Sequence, residues 1–289
     1  MIKTNQVRAA FVGLMATVAL STLGGVAHAA LMRPLTYAQK IIEASGTGSL
    51  LVQNQVQFNN EVNADGKPFA LREDWILDDD QHMSVTVSGP GFQWHFRYEN
   101  GVRTQITREG RVVKPAGLEF IEPYFMFRKI ERLESTLVHL GVMQQSSFAK
   151  HWFALGQEPE GTDPNLRLAR IGGGVAVVMG PPAEGVVDTA PAVFIDQDQF
   201  VIRKIRFSSQ TEMLADRFSV YSRGVTYPKQ RQIRFSGKQA LVLTTLVQTR
   251  PDKKNSSEVA ASDSLATSLD RLPSASLRSA VEEFYKRFR

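Results

Sequence analysis

From residue 49 onward, apolar and polar positions alternate with a period of two, the spacing of half-buried strands. Leu50, Val52, Val56 and Phe58 share one face of the first run. After an Asp65-Gly66 turn, Phe69, Leu71, Trp75 and Leu77 share a face of the second. Met83, Val85 and Val87 follow, and Gly89-Pro90-Gly91 breaks the chain. Phe92, Trp94, Phe96 and Tyr98 then alternate with Gln93, His95 and Arg97, the cleanest half-buried strand in the sequence. Asn100-Gly101 is a hairpin turn. Val102, Thr104 and Ile106 leave it, and Glu109-Gly110 turns into Arg111-Val112-Val113.

The period changes over 117–142. Leu133, Leu137 and Leu140 recur at helical spacing and predict a helix over 128–140, stopped by Gly141. Before it, Phe120-Ile121-Glu122-Pro123-Tyr124-Phe125-Met126-Phe127 is unusually aromatic and reads as a first helical turn or a separate short helix. Strand signals return at 148–155, 166–171 and 175–179. The runs 193–195 and 200–207 flank a polar break. Phe218 opens another strand, Arg223-Gly224 turns it, and Tyr227-Pro228 sets up the next, because proline cannot donate within a central strand. The runs 230–235 and 240–249 form a last hairpin. A short helix is predicted over 36–44, with Thr36 as N-cap and Gly46 and Gly48 at its end.

About ten or eleven strands, joined by hairpin turns and interrupted by one helical insertion, predict a mainly β (α+β) chain. Its antiparallel sheet has one face covered. The two ends of the chain differ from this body. Residues 1–29 read as a secretory signal peptide, with Lys3 and Arg8 before an apolar run and Ala27-His28-Ala29 as the cleavage site. An uncut membrane anchor is the other reading of that segment. The body is expected over 30–250. Residues 251–275 are rich in Ser, Ala, Asp and Lys and read as a flexible linker. Over 276–289, Leu277, Val281, Phe284 and Phe288 recur at helical spacing with cations at the C-terminal end, as in an amphipathic helix.

Composition narrows the chemistry. The 289 residues include no cysteine, which excludes disulfides, thiolate metal sites and a lipid-modified N-terminal cysteine. The formal net charge of +5, two units of it from Lys3 and Arg8, is a poor footprint for nucleic acid. No H-E-x-x-H, G-x-S-x-G or phosphate-loop pattern occurs. Asp78-Asp79-Asp80 reads as a solvated turn rather than a hard-metal site, since three consecutive residues cannot all face one ion. The scattered His82, His95, His139 and His151 show no ligand spacing. No enzyme, metal or cofactor is expected.

The order VFIDQDQFVIRKIRF, then FSVYSRGVTYPKQRQIRFSG, then ALVLTTLVQT resembles the C-terminal half of the LolA/LolB-like periplasmic lipoprotein-carrier superfamily. The resemblance covers roughly sixty residues well and the preceding part loosely. It implies a strongly curved sheet, a half-barrel, with a helical lid over an apolar cavity. Members carry an R-P-x-x-F/L element whose arginine takes part in closing the lid. Here Ala70-Leu71-Arg72-Glu73-Asp74-Trp75 has Arg72 without the proline, which sets this chain apart on lipoprotein sorting itself.

On that reading the cavity wall is Trp75, Phe92, Trp94, Phe96, Tyr98, Phe207 and Phe218, and the lid is Tyr124, Phe125, Met126, Phe127, Leu133 and Leu137. An ordinary closed core accounts for the same aromatic excess. The implied function is a periplasmic carrier for a lipid or the acyl chains of a lipidated protein. The alternative is an envelope sensor or adaptor on the same fold. Its lid or its tail beyond residue 250 would dock a partner protein or an anionic membrane.

Overall fold

The computed structural model describes residues 31–62, 66, 68–107, 110–148, 163–182, 189–250 and 268–289. The signal-peptide reading, the 149–155 part of the seventh strand run, His151 and most of the linker lie outside these residues.

Two antiparallel meanders meet in one sheet. The first is β1 (Leu50–Val62), β2 (Pro68–Leu77), β3 (His82–Gly89), β4 (Phe92–Glu99), β5 (Val102–Thr107) and β6 (Gly110–Pro115). The second is β7 (Leu166–Ile171), β8 (Gly174–Met179), β9 (Ala192–Asp196), β10 (Ile202–Arg206), β11 (Glu212–Val220), β12 (Thr226–Phe235) and β13 (Lys238–Thr249). The first winds outward from the centre to the edge strand β6. The second starts at the opposite edge, β7, and winds back until β13 pairs with β1. The result is a 13-stranded open sheet, a curved half-barrel with a helical lid.

Three helices lie against it. α1 (Pro34–Ser45) begins with proline at its first position and buries Tyr37, Ala38 and Ile41. It stops at Gly46, whose φ of 61° suits glycine; a Cβ there would sit 2.5 Å from the Gly224 backbone. The aromatic run forms a separate 3-10 helix, Glu122–Phe125, and α2 (Ile130–His139) follows it. Leu133 and Leu137 are fully buried. Arg128 joins the pieces: its guanidinium donates to the Ser45 carbonyl at 2.5 Å and the Gly48 carbonyl at 2.8 Å, meeting the C-terminal end of α1. α3 (Ala275–Arg287) closes the chain.

Several sequence boundaries move. The helix expected at 36–44 starts two residues earlier, with Arg33 rather than Thr36 as N-cap. Phe200 lies in a turn with φ 54°, so β10 begins at Ile202. Phe148 ends a 3-10 turn, Gln145–Phe148, instead of opening a strand. β11 runs from Glu212, well before Phe218, and β12 runs through Tyr227-Pro228. Pro228 is accommodated because the ladder is irregular there: it faces Phe218, directly after Arg217 with φ 56°.

Candidate functional site

Period-two alternation turns one set of side chains from β1–β4 toward the interior. Val52, Val56, Leu71, Trp75, Val85, Val87 and the four aromatics of β4 are all buried. Phe92 and Trp94 have ring centroids 4.7 Å apart, and Trp94 meets Phe96 edge-on at 6.2 Å. Trp75 stacks on Tyr98 at 6.1 Å, and Tyr98 stacks on Phe120 at 4.0 Å, which ties the sheet to the segment entering the lid.

α3 lies on this aromatic wall. Its start is fixed by Ser274, whose hydroxyl accepts from the Leu277 amide at 3.0 Å. Leu277, Val281, Phe284 and Phe288, the helical stripe of the sequence, are buried together with Ala280 and Tyr285. Phe284 meets Phe58 edge-on at 5.3 Å, and Phe288 meets Phe235 at 5.1 Å. Tyr285 sits 5.4 Å from Trp94 and parallel to Phe96 at 6.4 Å. The chain's own terminal helix thus fills the middle of the apolar face.

Ion pairs at the rim hold α3 in register. Arg287 donates from Nε and Nη2 to the two Glu119 oxygens at 2.8 and 2.9 Å. Lys238 at the β12–β13 turn reaches Glu283 at 2.9 Å, and Arg287 reaches Glu283 at 2.8 Å. Burial works to raise the Glu119 carboxyl, but the hydrogen bonds and charge of Arg287, helped by Ser209, hold it below its ordinary value. The same contest leaves Glu283 lowered to about 2, with Ser236, Lys238 and Arg287 outweighing burial.

Beneath this rim lies a dry polar network. Asn54 and Glu73 face each other across the β1–β2 ladder, and Asn54 donates to Glu73 at 3.2 Å. Trp75 Nε1 donates to the same carboxylate at 2.9 Å. Arg231 of β12 donates to Glu122 of the 3-10 helix at 3.0 Å and to Asn54 at 3.0 Å, and Tyr227 donates to Glu122 at 2.6 Å. Arg289, just past α3, donates from Nε to Glu73 at 2.9 Å, and its Nη2 lies 3.2 Å from Glu122. The four charged side chains are fully buried and balance, two against two. Burial alone would raise Glu73; the Arg289 charge and the hydrogen bonds from Arg289, Trp75 and Asn54 win, and the carboxyl ends below its usual range. Burial likewise opposes the charge on Arg231 and Arg289, and the facing carboxylates outweigh it.

The expected wall residues fall into two groups. Trp75, Phe92, Trp94, Phe96 and Tyr98 lie together on the N-terminal meander, and α3 packs onto them. Phe207 and Phe218 lie on the other meander, under the lid: Phe207 meets Tyr124 at 6.1 Å, and half-buried Phe218 meets Phe125 at 6.4 Å. Met126 and Phe127 are buried with them. Between Tyr124, Phe125, Phe200, Phe218 and α1 there is room for about 10 Å³, so that side is filled.

Arg72 is mainly exposed and pairs with Asp74; the arginines that meet the lid are Arg231 and Arg289. The aspartate run has separate partners: Asp78 binds Arg250, Asp79 binds His82, and Asp80 meets Arg132.

The sequence reading passed over Asn54, Glu73, Glu122, Tyr227, Arg231 and Arg289. Their signal was present as gaps. Asn54 interrupts the Leu50, Val52, Val56, Phe58 face, and Glu73 interrupts Phe69, Leu71, Trp75, Leu77. Arg231 stands in step with Ile233 and Phe235. A polar residue on a core-facing position needs a buried partner.

α3 leaves part of the wall uncovered. Between its outer side and β4–β6 is an open cleft of about 300 Å³, floored by Trp94, Phe96 and Tyr285.

The chain is similar in structure to a LolA superfamily protein from Nitrosomonas europaea, with 11% identity over 76% of this chain and 95% of that one, at a TM-score of 0.46. It is also similar to a putative outer membrane lipoprotein-sorting protein domain from Vibrio parahaemolyticus, with 11% identity over 75% and 92% of the two chains, at a TM-score of 0.42. No protein-family model matches the sequence. No curated protein matches it.

Proposed function

We propose that this protein is an exported carrier that binds a hydrophobic ligand, a lipid or the acyl chains of a lipoprotein, for trafficking within the cell envelope. On this reading, residues 1–29 are removed on export. The observation that supports it is the aromatic wall of β4 covered by a separate helix from the end of the chain. A concave apolar surface of that kind suits an acyl chain, each buried methylene contributing roughly 0.8 kcal/mol. The cleft beside α3 exposes Trp94, Phe96 and Tyr285 to an incoming chain. A ligand entering there slides along β4 and takes the place of apolar side chains that α3 now supplies. Binding of this type uses shape and hydrophobicity with few polar groups.

The test is native mass spectrometry with lipid extraction on the full chain, purified from its own exported fraction without detergent. A bound acyl lipid is the expected result. The variant Arg289→Gln weakens the seat of α3 and is expected to take up more of a fluorescent fatty acid than the parent. Absence of bound lipid, together with no uptake by parent or variant, sinks the carrier reading. The sensor alternative predicts instead that Arg289→Gln changes capture of a partner protein without changing fatty-acid uptake.

A further inference from the structure

Three successive strands carry the interior face of β4 outward beyond α3. In the ladders, Phe96 faces Gln105, which faces Val112, and Tyr98 faces Arg103, which faces Lys114. Every one of these side chains lies on the same face of the sheet, because the period is two. The face therefore changes character along each row: aromatic on β4, polar or cationic on β5, and apolar or cationic on β6. The change falls where α3 stops covering the sheet, and the 300 Å³ cleft occupies that border.

Arg103 is the central residue of this shelf. Its guanidinium lies 4.4 Å from the centre of the Phe96 ring and donates to the Lys286 carbonyl of α3 at 3.2 Å. It is half-buried, and no carboxylate among the described residues pairs with it. Burial pulls its pKa down, with only partial compensation from Tyr98, so the charge is poorly solvated where it stands. Lys114 faces it directly across the β5–β6 ladder. Two like charges in that relation destabilise a sheet unless something lies between them. Lys286 adds a third cation from α3, and Glu282, one helical turn earlier, is the carboxylate of the same cleft. The balance is two positive charges over an aromatic floor.

We infer that this cleft is a headgroup site, in which Arg103, Lys114 and Lys286 hold the anionic group of an amphiphile while its apolar chain lies on Trp94 and Phe96. The inference rests on the carrier reading and narrows the cargo to molecules with an acidic headgroup, phosphate or carboxylate, next to an alkyl chain. Arg103 supplies the directional part, since its planar fork can take two oxygens of one anion. Lys114 and Lys286 supply adjustable point charges on either side.

The test uses the full chain and three probes in calorimetric titrations: lauroyl lysophosphatidylglycerol, the uncharged dodecyl maltoside, and inorganic phosphate. The parent is expected to prefer the lysolipid to the maltoside, and the preference is expected to shrink as salt is raised. In the double variant Arg103→Gln, Lys114→Gln the ratio of the two affinities is expected to fall by about tenfold or more, the loss of one charge-assisted contact. Both substitutions lie on the outer strands, and an unchanged far-ultraviolet circular dichroism spectrum checks the fold. An unchanged ratio in the folded variant overturns the headgroup site and leaves the carrier reading standing. Phosphate binding as tight as that of the lysolipid also overturns it, in favour of a site for free anions. Failure of both amphiphiles to bind overturns both.

Discussion

The lid and the terminal helix cover the same sheet by different means. The lid, with α1, lies over the second meander and is seated chiefly by apolar and aromatic contacts: Leu133 and Leu137 are fully buried, and Tyr124 and Phe125 meet Phe207, Phe218 and Tyr227. Its hold includes one buried carboxylate, Glu122. α3 lies over the first meander and adds charge to its apolar stripe, through Glu73 and Glu122 in the interior and Glu119 and Glu283 at the rim. Apolar contact is indifferent to pH and salt, and paired charge is not. One half of the covering is therefore permanent, and the other is conditional.

Perturbations should separate the two. The largest effect is expected from Arg231→Met, which strips Glu122 of its sheet partner and weakens lid and α3 together. Removing one member of a buried pair costs about 3–5 kcal/mol, read as a lower midpoint in urea unfolding. A loss below about 1 kcal/mol would show that the network is not what joins the halves. Leu137→Ala should cost about 3 kcal/mol through the lid alone. That loss should be the same at pH 7 and pH 5; a strong pH dependence would contradict the division.

Acid should act on α3. Glu73, Glu119 and Glu283 are all held below the ordinary glutamate value, Glu283 at about 2 from 4.5. A carboxyl depressed in the folded state contributes stability that is complete above its unfolded value and is lost as pH falls through the folded one. α3 should stay seated above about pH 4.5 and loosen progressively toward pH 2, seen as a red shift of tryptophan emission as Trp94 is uncovered. Emission that is flat across that window, in protein that remains folded, would remove the conditional half. The smallest effect is expected from Arg72→Ala, within about 0.5 kcal/mol, because an exposed pair such as Arg72–Asp74 contributes little. A large loss there would restore Arg72 as the arginine of the lid.

Much of the sheet was legible in the sequence because alternation is local. Phe92, Trp94, Phe96 and Tyr98 declare a strand face without reference to any other segment. The two groups of wall residues were harder to tell apart, since Phe207 and Trp94 look alike as sequence and differ only in which helix lies above them. The polar network was illegible for a stronger reason. Asn54 and Arg231 are 177 residues apart, and Glu73 and Arg289 are 216 apart. Each appeared as an isolated defect in an apolar stripe, and nothing local says which defects meet. The destination of α3 was hidden likewise. An amphipathic helix with cations at its end fits a membrane, a partner or its own sheet, and the choice depends on Glu73 and Glu122, which lie far from it in sequence.

The pairing of β1 with β13 bears on how such a molecule reaches its fold. Gln53 and Thr245, hydrogen-bonded across that central ladder, are 192 residues apart. Closing so long a loop costs entropy before the contact returns any, and chains dominated by distant pairings fold slowly. Neither meander can complete its inner edge until the last strand is available. Until then β1 and β12 each present an unpaired edge, the kind of surface on which nascent chains aggregate. The half-barrel is thus sealed late, at its middle, and a chain halted short of residue 238 would depend on a holding chaperone to stay in solution.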